Sequence, residues 1–321
     1  MKSSLVKVVG IGTCALDFVF KTLKTSVKDV LLASSFMLSA GGIVGNTLSG
    51  LARLGVNVGY IGKFGDDLWA RKLLAAFLRD GVDFSKVQLL KGDKTEAVVV
   101  AVDERGERSF TVFLGAVLKL KPEDIDLEYV KSTSYLITDG IPLETILHVV
   151  KEVKKFGVKV FFSPAAPPSL YEEVLKGSEQ DFMELLTLSD MFSTNHLIAL
   201  AIANCPSINE AIKELRKLNQ SAHMALTMGE KGCVICYNDV VEEVAAFKVD
   251  VVDTTGAGDA FNAGLLYGLL RNLSFRESAI IGNALAAIKC TKLGARSGLP
   301  DLPQLKDFLR SRGFEVLANI L

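Results

Sequence analysis

The residues best suited to chemistry lie in one stretch, Val251-Val-Asp253-Thr254-Thr255-Gly256-Ala257-Gly258-Asp259-Ala260-Phe261. The spacing predicts a strand ending at Asp253, a turn of small residues, and a helix starting near Gly258 that is apolar at 261, 265, 266, 269 and 270. Gly256 and Gly258 carry no Cβ, so backbone N–H groups here can converge on an anion at the helix N-terminus. Asp259 then stands within a turn of that anion, with a carboxylate able to accept a proton. A carboxylate repels a phosphate, which makes little sense in a device built only for binding. It makes sense as a base that activates a hydroxyl for attack on phosphorus. The plainer alternative is an N-cap aspartate on a Gly-rich turn.

Other groupings carry less. Cys233-Val-Ile-Cys236 has the spacing of half a zinc site, but no second pair completes it, and the run Gly232 to Tyr237 alternates like a core strand. His148, His196 and His223 are isolated, and the five cysteines are thinly spread, as in a reducing compartment. Gly10-Ile-Gly12-Thr-Cys-Ala15 fits a dinucleotide fingerprint, yet Asp17-Phe-Val-Phe20 continues strand-like where a helix should begin. No G-x-x-x-x-G-K-[ST] occurs. Asp139-Gly140 is either a turn or a carboxylate at a strand's carboxyl end. Trp69 occupies a core-type helical position.

The elements that must hold these residues alternate. Strands are expected at Val6 to Gly10, Val56 to Ile61, Tyr135 to Thr138, Val158 to Phe162, His223 to Thr227 and Val249 to Val252. Helical periods separate them, among them Ile43 to Leu54, stopped by Gly55, and Leu68 to Leu78. Such βαβα alternation argues for a parallel sheet covered on both faces. Phe18 to Ser39 has few helix signals, and Thr95 to Val102 with Arg108 to Leu114 reads as a β-hairpin. These pieces form a small second sheet, a lid of the kind that keeps water from a phosphoryl group. Arg105 and Arg108 bracket the hairpin tip, as solvated charges or as lid contacts to substrate.

Composition bounds the class. The 321 residues are 49% hydrophobic and 23% charged, which excludes a disordered chain. Lys plus Arg is 36 and Asp plus Glu is 37, so the net charge of −1 leaves no footprint for nucleic acid. No apolar run approaches the ~18–20 residues that span a bilayer. A cytoplasmic protein acting on a small molecule is expected.

Asp253-Thr-Thr-Gly-Ala-Gly-Asp259 resembles the C-terminal signature of the PfkB, or ribokinase-like, family of carbohydrate kinases. The N-terminal signature is similar too: Gly41-Gly42-Ile-Val-Gly-Asn46, then Leu54-Gly55 and Gly62-Lys-Phe-Gly65-Asp66-Asp67. Thr227-Met-Gly229-Glu-Lys-Gly232 is similar to the family's nucleotide loop, and Asn283 to Ala295 to its last ATP-side segment. The resemblance runs from about Val8 to Pro300. It implies a single three-layer α/β/α domain over 1–321, with a mostly parallel sheet and a β-sheet lid from about 18–40 and 93–116. It implies transfer of the γ-phosphate of ATP, entering with Mg²⁺, to a primary hydroxyl of a sugar or sugar-like acceptor. Asp259 would be the base, with the amides of Gly256, Ala257, Gly258 and Asp259 itself as anion hole. Asp17, Gly41, Gly42 and Asn46 would hold the sugar. Asn195, Thr227, Gly229, Gly232, Gly258 and Asn283 would serve the nucleotide. Asp253, Thr255 and Gly294 match positions that in several members bind a monovalent cation, often K⁺. Pairing of two chains through the lid is a further implication.

The chain also departs from the family. Asn-x-x-Glu becomes Asn195-His-Leu-Ile198, without the Glu that organises Mg²⁺ and phosphate. Ile43 and Ala15 stand where ribokinases tend to have Lys and Asn, and Ser163-Pro164-Ala165-Ala166 lacks the Asn and Arg of ketodeoxygluconate-type kinases. A nucleoside kinase of the same family, or a homologue that binds sugar and nucleotide without turnover, are the alternatives.

Overall fold

A computed structural model describes residues 5–27, 30–103, 108–173, 175 and 177–321. Thirteen strands are present among them: β1 (Val8–Ile11), β2 (Leu16–Val27), β3 (Val30–Ala40), β4 (Val58–Gly65), β5 (Asp83–Leu90), β6 (Ala97–Val102), β7 (Arg108–Phe113), β8 (Tyr135–Thr138), β9 (Lys159–Phe162), β10 (Met191–Asn195), β11 (His223–Thr227), β12 (Cys233–Tyr237) and β13 (Val240–Val244). Nine form one sheet in the order β13-β12-β11-β10-β9-β8-β1-β4-β5. From β11 to β5 every pair is parallel; at one edge β12 runs against them and β13, antiparallel to β12, returns to the common direction.

Burial on both faces explains the near-continuous apolar strands. Val8 of β1 points into a cluster with Tyr60, Phe77 and Phe261, and Val9 into the opposite cluster with Phe162, Phe182 and Tyr171. Alternate side chains feed two separate cores, as a parallel sheet between two helical layers requires. Cys233 and Cys236 sit in these cores on β12, where burial pushes their thiols up to about 12 and 11. That is the expected core strand. Among the described residues no group of His, Cys, Asp or Glu is arranged to hold a metal, and no helix is long and apolar enough to cross a membrane.

The second sheet has the order β3-β2-β6-β7 and corresponds to the expected lid. β2 pairs β6 in parallel, while β3 and β7 close the two sides antiparallel. Trp69 joins lid to body: its ring meets Phe18 of β2 edge-on at 5.4 Å, and it is only partly buried. The hairpin tip with Arg105, and the side chain of Arg108, lie outside the described residues.

One expected strand is absent. Val249 to Val252 has no partner in either sheet, and the edge position is held instead by β13, which pairs with β12. The segment is tethered to a helix, with Val252 N–H donating to the Cys290 carbonyl at 2.8 Å. Val251 and Val252 stay exposed, so an apolar run here lines a surface rather than a ladder.

Candidate active site

Two helices begin without a side-chain cap and converge on the same place. Ile43–Arg53 starts after Gly42 at φ 83° and Ala257–Leu270 after Gly256 at φ 75°, both in the left-handed region that glycine tolerates. Elsewhere Asp67, Ser178, Ser207 and Ser274 cap their helices by accepting a backbone N–H. First-turn amides have no carbonyl of their own helix to bond. At the first helix Thr13 takes two of them, the Ile43 N–H at Oγ1 and the Gly45 N–H at its carbonyl, so the second helix is the end that leaves donors for a ligand. The Ala257 amide is an exception and corrects the expected anion hole. It donates to the Thr254 carbonyl at 3.1 Å, closing the turn, which withdraws it from the expected set.

Asp259 stands at the rim of a cleft of about 130 Å³ whose walls include Ile43, Ser163, Asn195 and Thr227. Its Oδ2 accepts from Asn46 Nδ2 at 2.7 Å. Desolvation raises its pKa to about 7, against the pull of the Asn46 hydrogen bond and the Arg296 charge. Asp17, on β2 beside Ser39 and Val98, is buried, and desolvation raises it to about 7 as well, with Arg296 opposing. Gly41 lies against that carboxylate so closely that a Cβ would collide with it. Asn46 proves to be a bridge: its Oδ1 accepts from Arg296 Nε at 2.8 Å while its amide holds Asp259.

Further buried charges complete this side, of which the sequence had marked only Asp139. Arg296 is 3% exposed and also donates to the Gly41 carbonyl at 2.8 Å. It lies just beyond the Asn283 to Ala295 segment, and its only signal was a charge in a small-residue loop. Asp139, fully buried, accepts from Thr13 N at 2.9 Å and Thr13 Oγ1 at 2.5 Å. Thr13 Oγ1 in turn accepts the Ile43 N–H at 3.1 Å, which fixes the start of the first uncapped helix. Asp139 is thus no surface turn, and burial lifts its pKa to about 6 against the Thr13 hydrogen bonds. Glu96 accepts from Cys14 N at 3.0 Å, and burial drives its pKa well upward.

The expected nucleotide residues divide. Gly229 and Asn283 line a groove of about 810 Å³ with Phe247, Val249, Val251 and Ala287, an apolar slot suited to a planar base. Gly232, at φ 97°, packs beneath it against the Val244 carbonyl. Asn283 does not offer its amide to a ligand: Nδ2 donates to the Val244 and Ala245 carbonyls at 3.0 and 3.1 Å and holds the groove wall. Asn195 and Thr227 fall in the Asp259 cleft instead. Asn195 caps the His196–Ala203 helix by accepting the Ile198 N–H at 3.0 Å, so its oxygen is committed. With Ile198 at the next turn and no metal-holding cluster among the described residues, the chain offers Mg²⁺ no carboxylate cage. Mg²⁺ fits here as part of the nucleotide substrate.

The expected K⁺ position fits less well. Asp253 Oδ1 accepts from Thr255 N and Oγ1 at 2.9 and 2.7 Å, and Oδ2 accepts from Gly294 N at 2.8 Å. Burial of Asp253 raises its pKa, but the Thr255 and Gly294 hydrogen bonds and Lys289 outweigh it and hold the carboxylate below its usual range. A positive charge is already there. Lys289 Nζ donates to the Asp253 carbonyl at 2.6 Å and lies 3.8 Å from Asp253 Oδ2.

A family model for the pfkB family carbohydrate kinases matches residues 6–302. The chain is 32% identical over 262 residues, 78% of its length, to a protein of Archaeoglobus fulgidus described as an uncharacterized sugar kinase, of which it covers 98%. It is 27% identical over 292 residues to a Haemophilus influenzae ribokinase, covering 89% of this chain and 92% of that one. A ribokinase of Arabidopsis thaliana, solved with ribose and ATP, shares the fold at a TM-score of 0.82 and 24% identity, covering 96% of this chain and 99% of its own.

Proposed function

The chain belongs to the pfkB family of carbohydrate kinases, and from that premise we propose that it transfers the γ-phosphate of ATP to a primary hydroxyl of a sugar or sugar-like acceptor, with Asp259 as general base. The observation that carries this is Asp259 itself. Its carboxylate stands at an uncapped helix N-terminus, held by Asn46, with a pKa near the pH of work. An ideal general base has its pKa close to ambient pH, where it is both ionised and basic.

In this mechanism MgATP enters the groove between Gly229 and Val251 with its phosphates toward the Asp259 cleft. Mg²⁺, entering with the nucleotide, would supply charge shielding at its phosphates. Asp17 binds acceptor hydroxyls, with Gly41 and Gly42 allowing close approach, and Asn46 keeps the Asp259 carboxylate aimed. Asp259 takes the hydroxyl proton as the oxygen attacks phosphorus in line. The Gly258 and Asp259 amides meet the charge that develops on the transferred group, aided by the helix dipole. The lid sheet then excludes water.

Chain 1–321 works as one unit in this account. One face of the lid exposes Phe36, Leu38 and Val99, an apolar surface that suits pairing with a second lid; light scattering of the purified chain tests it. A nucleoside acceptor is the second reading, favoured by apolar Ile43 on the cleft wall. An ADP-release assay with Mg²⁺ against pentoses, hexoses, sugar acids and nucleosides tests both. Turnover with one acceptor, lost in Asp259→Asn, supports the kinase. Silence with every acceptor, while ATP still binds, would favour a homologue that binds without turnover.

A further inference from the structure

Lys289 is wholly buried, with no exposed side-chain surface, in the last turn of the Phe275–Cys290 helix. A buried ammonium is costly unless it is paired, so its partners reveal its use. Two of them lie on the loop that delivers the base: the Asp253 carbonyl at 2.6 Å and, farther off at 3.8 Å, the Asp253 carboxylate.

That loop is tied from several directions. The Val252 and Asp253 N–H groups both donate to the Cys290 carbonyl, at 2.8 and 3.1 Å. The Asp253 carboxylate gathers Thr255 and the Gly294 amide, and the Thr254 carbonyl accepts from Ala257. Gly256 packs so near Ala295 that a Cβ would press on it. The loop carbonyl and carboxylate thus meet one positive charge, supplied covalently by the neighbouring helix. The position that sequence similarity suggests for a mobile monovalent cation holds a tethered one.

We propose that the Lys289 ammonium is the resident cation of the Asp253–Gly258 loop, a positioning residue that sets the catalytic amides and makes turnover independent of added K⁺. It acts through the loop and touches neither substrate. The inference rests on the kinase function proposed above, and the test separates the two.

The wild-type chain is assayed for ADP release with D-ribose, D-fructose and adenosine in KCl, NaCl and choline chloride at equal ionic strength. Its kcat should agree within about twofold across the three salts, whereas Lys289→Ala in choline should lose about 100-fold in kcat with little change in KM. KCl or ammonium chloride should restore Lys289→Ala saturably by filling the space left. Lys289→Met keeps the apolar stem and should lose kcat without rescue, which covers the case where the alanine variant does not fold. A wild type activated severalfold by K⁺, or a Lys289→Ala variant with wild-type kcat in choline, overturns the proposal and leaves the kinase intact. If the wild type turns over no acceptor, the kinase function fails, and melting decides about Lys289. A K⁺-specific rise in Tm for Lys289→Ala alone supports the tethered cation, and one for the wild type overturns it.

Discussion

On the Asp17 side of Asp259 lie buried polar groups already bonded to one another, Asn46 to Arg296 and Asp139 to Thr13. On the other side the groove between Gly229 and Cys290 is walled mainly by Val249, Val251, Ala286 and Ala287, with Val251 open to solvent. On the function proposed above, the difference follows from what each would hold. Hydroxyls are told apart by hydrogen bonds, which gain strength where water is excluded and donors are fixed beforehand. A nucleobase offers a flat apolar face, and its spent form must leave, so an open slot with few fixed partners serves better.

The largest effect expected from breaking this contrast is at the boundary itself. Asp259→Asn should lower kcat by about 10²–10⁴-fold while leaving ATP and acceptor affinities nearly unchanged in titration calorimetry. A variant near the wild-type rate would remove Asp259 from the role of base. Next comes Asn46→Ala, which severs a charge-assisted bond and should cut kcat/KM for the acceptor by about 10- to 100-fold. KM for ATP should move little; an equal rise in both would dissolve the division between the two sides.

The pH dependence sharpens the polar side. As the proposed base, Asp259 acts when ionised, and with burial raising its pKa to about 7, kcat/KM should climb with pH up to roughly neutrality and then level. Stability should run the other way. Asp17 and Asp259 both have folded values raised to about 7, so their contribution is complete below the unfolded value of 3.8 and fades as pH rises through about 7. Tm measured across that window should fall, and less so in Asp259→Asn. The smallest effect belongs to the groove. Val251→Ala trims an exposed apolar wall and should raise KM for ATP by about threefold at most, with the acceptor untouched.

Much of the frame was legible in the residues. β8 and β11 begin and end where the alternation put them, and the helix after Gly256 begins within one residue of its expected start. The lid followed from two segments lacking helical period. Val249 to Val252 misled because an apolar run has the same composition whether it walls a groove or joins a ladder. Asn283 and Asn195 were found as positions but not as contacts, since a side chain's partner lies on another element: Val244 for one, the capped Ile198 amide for the other.

The sequence by itself determined the layered α/β architecture, the Gly-bounded helix starts and Asp259, because periodicity, φ preference and signature spacing are local properties of the chain. Tertiary structure alone decided what surrounds Asp259. Arg296 reaches Asn46 across 250 positions, and Lys289 reaches Asp253 across 36. A lone Lys or Arg in a sequence reads as a solvated surface charge, and nothing local marks it otherwise. It becomes a buried counter-charge only when folding removes its water and sets an oxygen within hydrogen-bond distance.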